Sequence, residues 1–252
     1  MMLRLVRAEF LKLRSTQVWF WLLLASIAIT VLGTVGQIAG SNGDLDLQSH
    51  VRDVFTSASS AYIALFVLGV LAVTTEYRYQ TITPTVLATP SRWAIVSAKA
   101  ITYLIAGVAY AVVCLAVEFA IAVPWLSARN ITAPLGDQVG AIAAVFGVVT
   151  LMSLVGLGAG ALMKNQIVAV SVGLVVLLVV ENLVLVIPKV RHIWSYLPGG
   201  AINAMTTSSR SSDRRTHDIH LLPIWGGTVT LIVWALAMAT LGAAITMRRD
   251  IT

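Results

Sequence analysis

Six long apolar stretches dominate this 252-residue sequence. Each holds about 20 or more mostly apolar residues, the length that an α-helix needs to cross the roughly 30 Å hydrocarbon core of a bilayer. They cover about residues 18–39, 54–75, 93–123, 139–163, 167–187 and 221–247. Because a chain in lipid must satisfy its backbone hydrogen bonds internally, the sequence predicts an all-α membrane protein with six transmembrane helices.

The amino-acid composition excludes most soluble classes of protein. Charged residues make up 11% of the chain and hydrophobic residues 58%, whereas a soluble domain carries about 25% charged residues. The single cysteine, Cys114, has no partner for an intrachain disulfide, which excludes a disulfide scaffold. A net charge of +6 with so few charges is a weak sign of nucleic-acid binding, so we expect no nucleic-acid partner.

Lysine and arginine are distributed unequally between the two sides of the predicted helices. If the N-terminus is cytoplasmic, the same side holds Arg4, Arg7, Lys12, Arg14, Arg78, Arg92, Lys99, Lys164, Arg248 and Arg249. The two short loops opposite hold only Arg52 and Arg129, although the long segment from Pro188 to His220 adds further basic residues there. Cytoplasmic loops are enriched in Lys and Arg, which predicts a multi-pass cell-membrane protein with both termini in the cytoplasm.

The first 17 residues carry an amphipathic pattern. Their apolar side chains at helical spacing are Leu3, Val6, Phe10 and Leu13, and their basic ones are Arg4, Arg7, Lys12 and Arg14. Glu9 and Lys12 are spaced to pair at i,i+3. This pattern is typical of a helix lying on anionic membrane lipids, and equally of a plain basic anchor before the first span.

The segment between the second and third spans is the most distinctive polar stretch. It runs from Glu76 through Tyr77, Arg78 and Gln80 to Arg92, with Lys99 following inside the next span. Charges with aromatic anchors suit docking on a soluble partner. A plain solvated loop is the alternative interpretation.

Taken together, these features resemble the ABC-2 family of ATP-binding-cassette transporter permeases. The resemblance covers essentially the whole chain: an amphipathic N-terminus (Arg7 to Thr16), six spans, and a loop in which the family commonly has Glu-Tyr-Arg, Gly-Thr-Ile, Thr-Leu, Pro-x-Arg and Ala-Lys. The matching residues here are Glu76, Tyr77, Arg78, Thr81, Ile82, Thr85, Pro90, Arg92, Ala98 and Lys99. The sequence departs from the pattern at Gln80, where Gly is usual, at Val86, where Leu is usual, and at Pro84.

The resemblance implies a role for each polar segment of a single permease domain over residues 1–252. Residues 1–17 would be a connecting helix at the membrane surface, with Arg7, Phe10, Lys12 and Arg14. A cytoplasmic coupling helix from Glu76 to about Thr89 would contact a separate ATPase. The implied coupling residues are Glu76, Tyr77, Arg78, Thr81, Pro90, Arg92, Lys99, Lys164 and Asn165. A segment from about Pro188 to Met205 would re-enter at the outer mouth.

The chain carries no G-x-x-x-x-G-K-[ST] motif for binding nucleotide phosphates. We therefore expect no cofactor on this chain, and ATP with Mg²⁺ on partner ATPase subunits. The Gly156 and Gly160 pair lies inside an apolar span, where G-x-x-x-G spacing allows close helix packing. Gly36 and Gly40 have the same spacing. A second copy of this permease, or a related chain, would complete a bacterial exporter.

Two glutamates, Glu118 and Glu181, lie inside apolar spans. A carboxylate in hydrocarbon is costly, so it faces a protein interior or water, or becomes protonated. One interpretation places both, with Asn182, on the translocation pathway at an outer gate for cationic or amphipathic cargo. The other is that each bonds a neighbouring helix or reaches the interface.

Two other classes of function remain as alternatives. A membrane anchor or scaffold would recruit a soluble partner without moving cargo. A membrane-embedded enzyme would need a converging nucleophile, base or metal set, and the sequence predicts none. His217 and His220 lack the H-E-x-x-H spacing of a metal site.

Overall fold

The computed structural model describes residues 2–41, 51–80, 92–131, 133–163, 165–207 and 222–248. All regular structure in these ranges is helical. The α-helices are α1 Met2–Ser15, α2 Val18–Ala39, α3 Val51–Val54, α4 Tyr62–Arg78, α5 Arg92–Ala128, α6 Val139–Leu162, α7 Gln166–Val175, α8 Glu181–Val186, α9 Arg191–Trp194, α10 Pro198–Thr206 and α11 Ile224–Arg248. Short 3₁₀ turns cover Ser57–Ala61 and Leu135–Gln138.

The six predicted apolar helices are confirmed. Spans one to six are Val18–Ala39, Val51–Arg78, Trp93–Ala128, Gly136–Leu162, Gln166–Val186 and Ile224–Gly242. Span two is longer than predicted at both ends, because its helix begins with α3 and continues to Arg78. Glu76, Tyr77 and Arg78 therefore lie in the last turn of span two, and not in a separate helix.

Span four is the packing centre of the bundle. It packs against spans two, three and six. In the most apolar stretch of each helix, the buried share is 72% for span two and 56% for span four. It is 17% for span one and 22% for each of spans five and six. Much of the apolar surface of spans one, five and six is thus not covered by the other described residues.

Glycines allow spans two and four to approach each other. A Cβ at Gly156 would lie 2.0 Å from the carbonyl oxygen of Phe66, and one at Gly160 would lie 2.6 Å from that of Val70. The predicted close packing at this G-x-x-x-G pair is therefore present. A Cβ at Gly36, in contrast, would have nothing within 4 Å of it, so the Gly36 and Gly40 pair forms no helix contact within the described residues.

Span three is the longest helix and contains Pro124. Its 36 residues correspond to about 54 Å of helix, well beyond the thickness of a hydrocarbon core. It therefore extends past the other spans at one end or is tilted. A proline inside a helix removes one backbone hydrogen bond and favours a kink, here close to the end of the span.

Span five is interrupted by one turn of π-helix over Val176–Val180, directly before Glu181. Such turns are rare, and they shift the side chains that follow. After span five the chain forms α9 and α10 and then enters span six. Helix α10 forms part of the segment predicted to be re-entrant, and it packs against spans six and four. That this segment re-enters the membrane stays a prediction.

Candidate functional site

The end of the bundle at which span two finishes holds a cluster of four charged side chains, Glu9, Lys12, Glu76 and Lys99. Lys99 Nζ lies 2.6 Å from Glu9 Oε2 and 2.8 Å from Glu76 Oε1. Lys12 Nζ lies 2.7 Å from Oε1 of each glutamate. This ion-pair cluster joins α1, span two and span three. The predicted Glu9–Lys12 pair is present within it.

Burial makes the ion-pair cluster a strong constraint on the fold. Glu9 and Glu76 are each 6% exposed and Lys99 is 5% exposed. Two buried carboxylates with two ammonium groups balance in charge, and Lys99 also donates to the carbonyl oxygen of Ala72 at 3.2 Å. Removing one partner from such a set leaves an uncompensated buried charge, which costs far more than an exposed ion pair contributes.

Lys12 is the solvent-facing member of the ion-pair cluster, with 42% of its side chain exposed. Partial burial by itself lowers the pKa of Lys12, but the hydrogen bonds to Glu76 and Glu9 outweigh this and raise the pKa above its ordinary 10.5. Lys12 is therefore charged at any physiological pH.

The remaining residues of α1 predicted for the connecting helix face outward or are half-buried. Arg7 and Arg14 are exposed, and Phe10 is half-buried. Leu3 and Leu11 are exposed together with the arginines. Helix α1 thus turns Glu9 and Lys12 toward the bundle, while its outer face combines arginines with leucines, as helices at a lipid–water interface do.

The other residues predicted for ATPase coupling are only partly described. Tyr77 is half-buried against the core, while Arg78 is exposed and donates to Gln166 Oε1 of span five at 3.4 Å. Asn165 accepts from the backbone nitrogens of Ile167 and Val168, which caps span five. Outside the described residues lie Thr81, Pro90, Lys164 and the rest of the predicted coupling helix, the side chain of Arg92, and also His217 and His220.

Gln80 marks the exit of the chain from span two. Its φ of 56° lies in the left-handed region, which glycine adopts at little cost and other residues only with strain. This is the position at which the loop pattern of the resembled family usually has glycine. The departure noted in the sequence therefore falls on the residue whose backbone conformation favours glycine.

At the opposite end of the bundle, Glu118 of span three is fully buried. Its Oε1 accepts the backbone N–H of Ala58 at 2.9 Å and lies 2.8 Å from Ser57 Oγ. Ser57 Oγ also lies 2.8 Å from Thr34 Oγ1 of span one. Glu118 thus holds the first turn of the 3₁₀ segment in span two and connects spans one, two and three.

Glu181 occupies a second buried site, on span five, and is 2% exposed. Its Oε2 accepts the backbone N–H of Gly199 at 2.6 Å, at the start of α10. A carboxylate at a helix N-terminus accepts from a backbone N–H that would otherwise be unpaired, and it interacts favourably with the positive end of the helix dipole. Asn182 is exposed and donates to Leu178 O at 2.8 Å, so it does not join Glu181.

Span two holds the other end of α10. Arg52 donates to the carbonyl oxygen of Met205 at 3.2 Å, and Thr56 Oγ1 donates to that of Thr206 at 3.0 Å. Hydrogen bonds therefore hold both ends of helix α10, from Glu181 at its N-terminus and from span two at its C-terminus. The two buried glutamates are not adjacent, but α10 and the start of span two connect them through hydrogen bonds.

Sequence reasoning missed several of these partners. Glu9 bonds Lys99 across ninety positions of sequence, and Arg52 and Thr56 bond α10 across about 150. No local spacing signals such contacts. For Glu9 one signal existed, since an acidic residue in a basic amphipathic helix indicates a nearby cation. Among the described residues no three His, Cys, Asp or Glu side chains group closely enough to hold a metal ion.

Comparison with known protein families decides which family this is. The family described as "ABC-2 family transporter protein" matches residues 5–181, which is well over half of the chain. This chain belongs to the ABC-2 transporter family. Among curated proteins no match is found.

The match places most of the described site residues inside the family region of this ABC-2 protein. It begins in α1 and ends at Glu181, so it contains the whole ion-pair cluster and Glu118. Helices α9 and α10 and span six lie beyond it. Membership of the family, together with six apolar helices, makes the chain a multi-pass membrane protein of the ABC transporter permease type.

Proposed function

We propose that this protein is the permease subunit of an ATP-driven bacterial exporter, acting as one permease domain. It would form the translocation pathway and take its energy from a separate ATPase that contacts the 76–92 segment. The observation that carries the proposal is the ion-pair cluster. It ties α1 and the end of span two to span three, so a force applied at residues 76–80 acts directly on three helices.

The physical requirement for coupling is a rigid connection between the ATPase contact and the spans. ATP can shift the permease between two conformations only if ATPase closure has a different affinity for each. Buried, mutually neutralising charges hold Glu76 in one position relative to Glu9 and Lys99. Arg78, which reaches Gln166, extends the connection to the start of span five.

The partners follow from the same proposal. ATP and Mg²⁺ would bind the ATPase subunits, and this chain would bind no cofactor of its own. A second copy or a related permease would cover the apolar sides of spans one, five and six, which are the least buried in the chain. Both termini would lie in the cytoplasm, with anionic lipids against Arg7 and Arg14 of α1.

The proposed outer gate is α10, with Glu181 and Glu118 near the pathway. Helix α10 is fixed at each end by hydrogen bonds from different spans. A movement of span five relative to span two would therefore strain or release it. Buried carboxylates at this end would favour cationic or amphipathic cargo.

The test compares wild-type protein with Arg78→Ala after co-purification with the ATPase subunit from native membranes. Arg78 is exposed, so its truncation leaves the core intact, and Lys189→Ala, exposed at the opposite end, is the matched control. We expect Arg78→Ala to lower ATP-dependent uptake of a fluorescent amphipathic cation into inverted vesicles at least several-fold while the ATPase stays bound.

The outcomes separate the candidate functions. ATPase binding without ATP-dependent uptake, even of other probe classes, indicates a scaffold. Wild-type uptake by Arg78→Ala contradicts its coupling role. Absence of any co-purifying ATPase contradicts the whole proposal.

A further inference from the structure

We infer that the π-turn of span five, Val176–Val180, is a register switch that the hydrogen bond between Glu181 and Gly199 holds in its present state. In this state Glu181 faces α10. Once the bond is broken, the π-turn relaxes to regular α-helix, and the part of span five that follows it turns by about 100°, the angle of one residue. The inference concerns the folded chain alone and does not depend on the transport function proposed above.

The buried positions of span five recur every four residues. They are Ala169, Gly173, Leu177 and Glu181. A regular α-helix has 3.6 residues per turn, so positions 169 and 181 would point about 120° apart. The π-turn removes most of this difference, because its hydrogen bonds span one residue more than those of an α-helix. The backbone N–H of Glu181 accordingly donates to the carbonyl oxygen of Val176. The extra residue therefore brings Glu181 onto the same face as Ala169.

In a regular α-helix Val180 would lie on this face in place of Glu181. It follows Ala169 by eleven positions, which is close to a whole number of helical turns. At present Val180 is 41% exposed and Glu181 is 2% exposed, so the observed burial follows the π form. Relaxation of the π-turn gives each residue after it the direction that the next residue has now. Val180 would then replace the carboxyl group against α10.

Apolar packing does not determine which register span five adopts. Apart from Glu181 and Asn182, residues 176–187 are all Val, Leu or Ile, so a turn of this segment exchanges one aliphatic side chain for another. Asn182 bonds a carbonyl oxygen of its own helix and turns with it. The contact of Glu181 with α10 therefore distinguishes the two registers.

The contact between Glu181 and α10 can be broken from either helix. A Cβ at Gly199 would lie 2.2 Å from Glu181 Oε2 and 3.3 Å from Glu181 Cδ, so the carboxyl group occupies the space that a side chain at this position would fill. The other end of α10 accepts hydrogen bonds from Arg52 and Thr56 of span two. Because coupling between two sites is reciprocal, a movement of α10 with span two releases the register of span five, and a turn of span five releases α10.

Spin labels on two neighbouring residues distinguish a turn of span five from simple loosening. Val184 and Leu185 are both half-buried. In the turned register Val184 takes the inward direction that Leu185 has now, and Leu185 turns outward. The measured quantity is the accessibility of each label to oxygen dissolved in the bilayer, by electron paramagnetic resonance on Val184→Cys or Leu185→Cys in the full-length protein. Cys114→Ala removes the native thiol.

Two substitutions break the contact independently. We expect Glu181→Ala to raise the oxygen accessibility at position 185 and to lower it at position 184, so that their ratio increases several-fold. Gly199→Ala, which leaves the sequence of span five unchanged, should have the same effect. Glu181→Gln keeps an oxygen that accepts from Gly199 and should keep the wild-type ratio. The inference is overturned if a folded alanine variant keeps the wild-type ratio, or if accessibility rises equally at both positions.

A deletion tests the extra residue itself. Removing Val179, which lies exposed in the π-turn, leaves a regular α-helix in which Glu181 still faces α10. This variant should keep the wild-type thermal midpoint and the protection of residues 198–206 from hydrogen exchange, and Glu181→Ala should no longer change the label ratio in it. Deletion of Val108, an exposed valine of span three, is the matched control and should lower the midpoint strongly. Equal damage by the two deletions, or a ratio that still responds to Glu181→Ala, would overturn the inference.

Discussion

Lys99 Nζ lies 2.6 Å from Glu9 Oε2, a contact between span three and the N-terminal helix across ninety positions of sequence. It fixes α1 against the bundle. The ion pair between Lys12 and Glu76, at 2.7 Å, and the packing of Leu13 against the core also hold α1 to the bundle. The same ammonium group bonds Glu76 at 2.8 Å, so one lysine connects the N-terminal helix to the end of span two.

Lys99→Met should destabilise the protein strongly. It leaves two buried carboxylates with Lys12 alone, and breaking a buried pair in this way costs about 3–5 kcal/mol. The measurement is the thermal midpoint of the purified protein, together with protease accessibility of α1. Arg14→Met, an exposed change on α1, is the control and should change the midpoint little. Equal midpoints for the two variants would contradict the conclusion that the ion-pair cluster constrains the fold.

Alkaline pH should weaken the attachment of α1 through Lys12. Because the pKa of Lys12 is raised in the folded protein, its stabilising contribution is complete below the ordinary pKa of 10.5 and is lost as the pH rises through the higher folded value. The wild-type thermal midpoint should therefore fall above about pH 10. Lys12→Met should be less stable than the wild-type protein at pH 8, and its thermal midpoint should fall less steeply as the pH rises. Parallel pH dependences for the two proteins would contradict the stabilising role of the Lys12 charge.

Alanine should destabilise the protein at one of the two G-x-x-x-G pairs and have little effect at the other. Gly156→Ala places a Cβ 2.0 Å from the backbone oxygen of Phe66, whereas Gly36→Ala meets nothing within 4 Å. Forcing spans two and four apart should cost about 1–3 kcal/mol or more. The yield of folded protein and its thermal midpoint are the readouts. A normal Gly156→Ala protein, or a damaged Gly36→Ala protein, would contradict the described packing.

Gln80→Gly should stabilise the exit from span two. At a φ of 56° a residue with a Cβ is strained by roughly 1–2 kcal/mol, and part of the relief is offset by the greater freedom of glycine when unfolded. We expect a net gain of about 1 kcal/mol or less. Asn130, with the same φ, is the control, since asparagine tolerates this conformation and Asn130→Gly should gain less. A loss of stability in Gln80→Gly would show that this conformation is wrong.

Glu181→Ala should loosen α10 without unfolding the bundle. The loss of a side chain that accepts from a helix N-terminus costs about 0.5–2 kcal/mol. Hydrogen exchange should therefore accelerate in residues 198–206 and stay unchanged in α6. Glu181→Gln keeps an acceptor oxygen for Gly199 and should retain most of the protection. Unchanged exchange in Glu181→Ala would remove the basis for α10 as a gate.

Much of the architecture was determined by the sequence alone. The six spans follow from the length of the apolar stretches, because backbone hydrogen bonding in lipid leaves a helix as the solution for each. The G-x-x-x-G pair at Gly156 and the Glu9–Lys12 spacing were also readable, since both depend on helix geometry between residues three or four apart. The family followed from the order of these elements and the loop after span two.

The tertiary structure decided which charges meet. Nothing local distinguishes Gly156 from Gly36, or indicates that Lys99 bonds Glu9, because these outcomes depend on how helices far apart in sequence pack. The same holds for Glu118 and Glu181, for which the sequence left both a gate and a structural bond open. The structure shows that each bonds the first turn of another helix. An unsatisfied carboxyl group in hydrocarbon is too costly, and only packing determines which donor it finds.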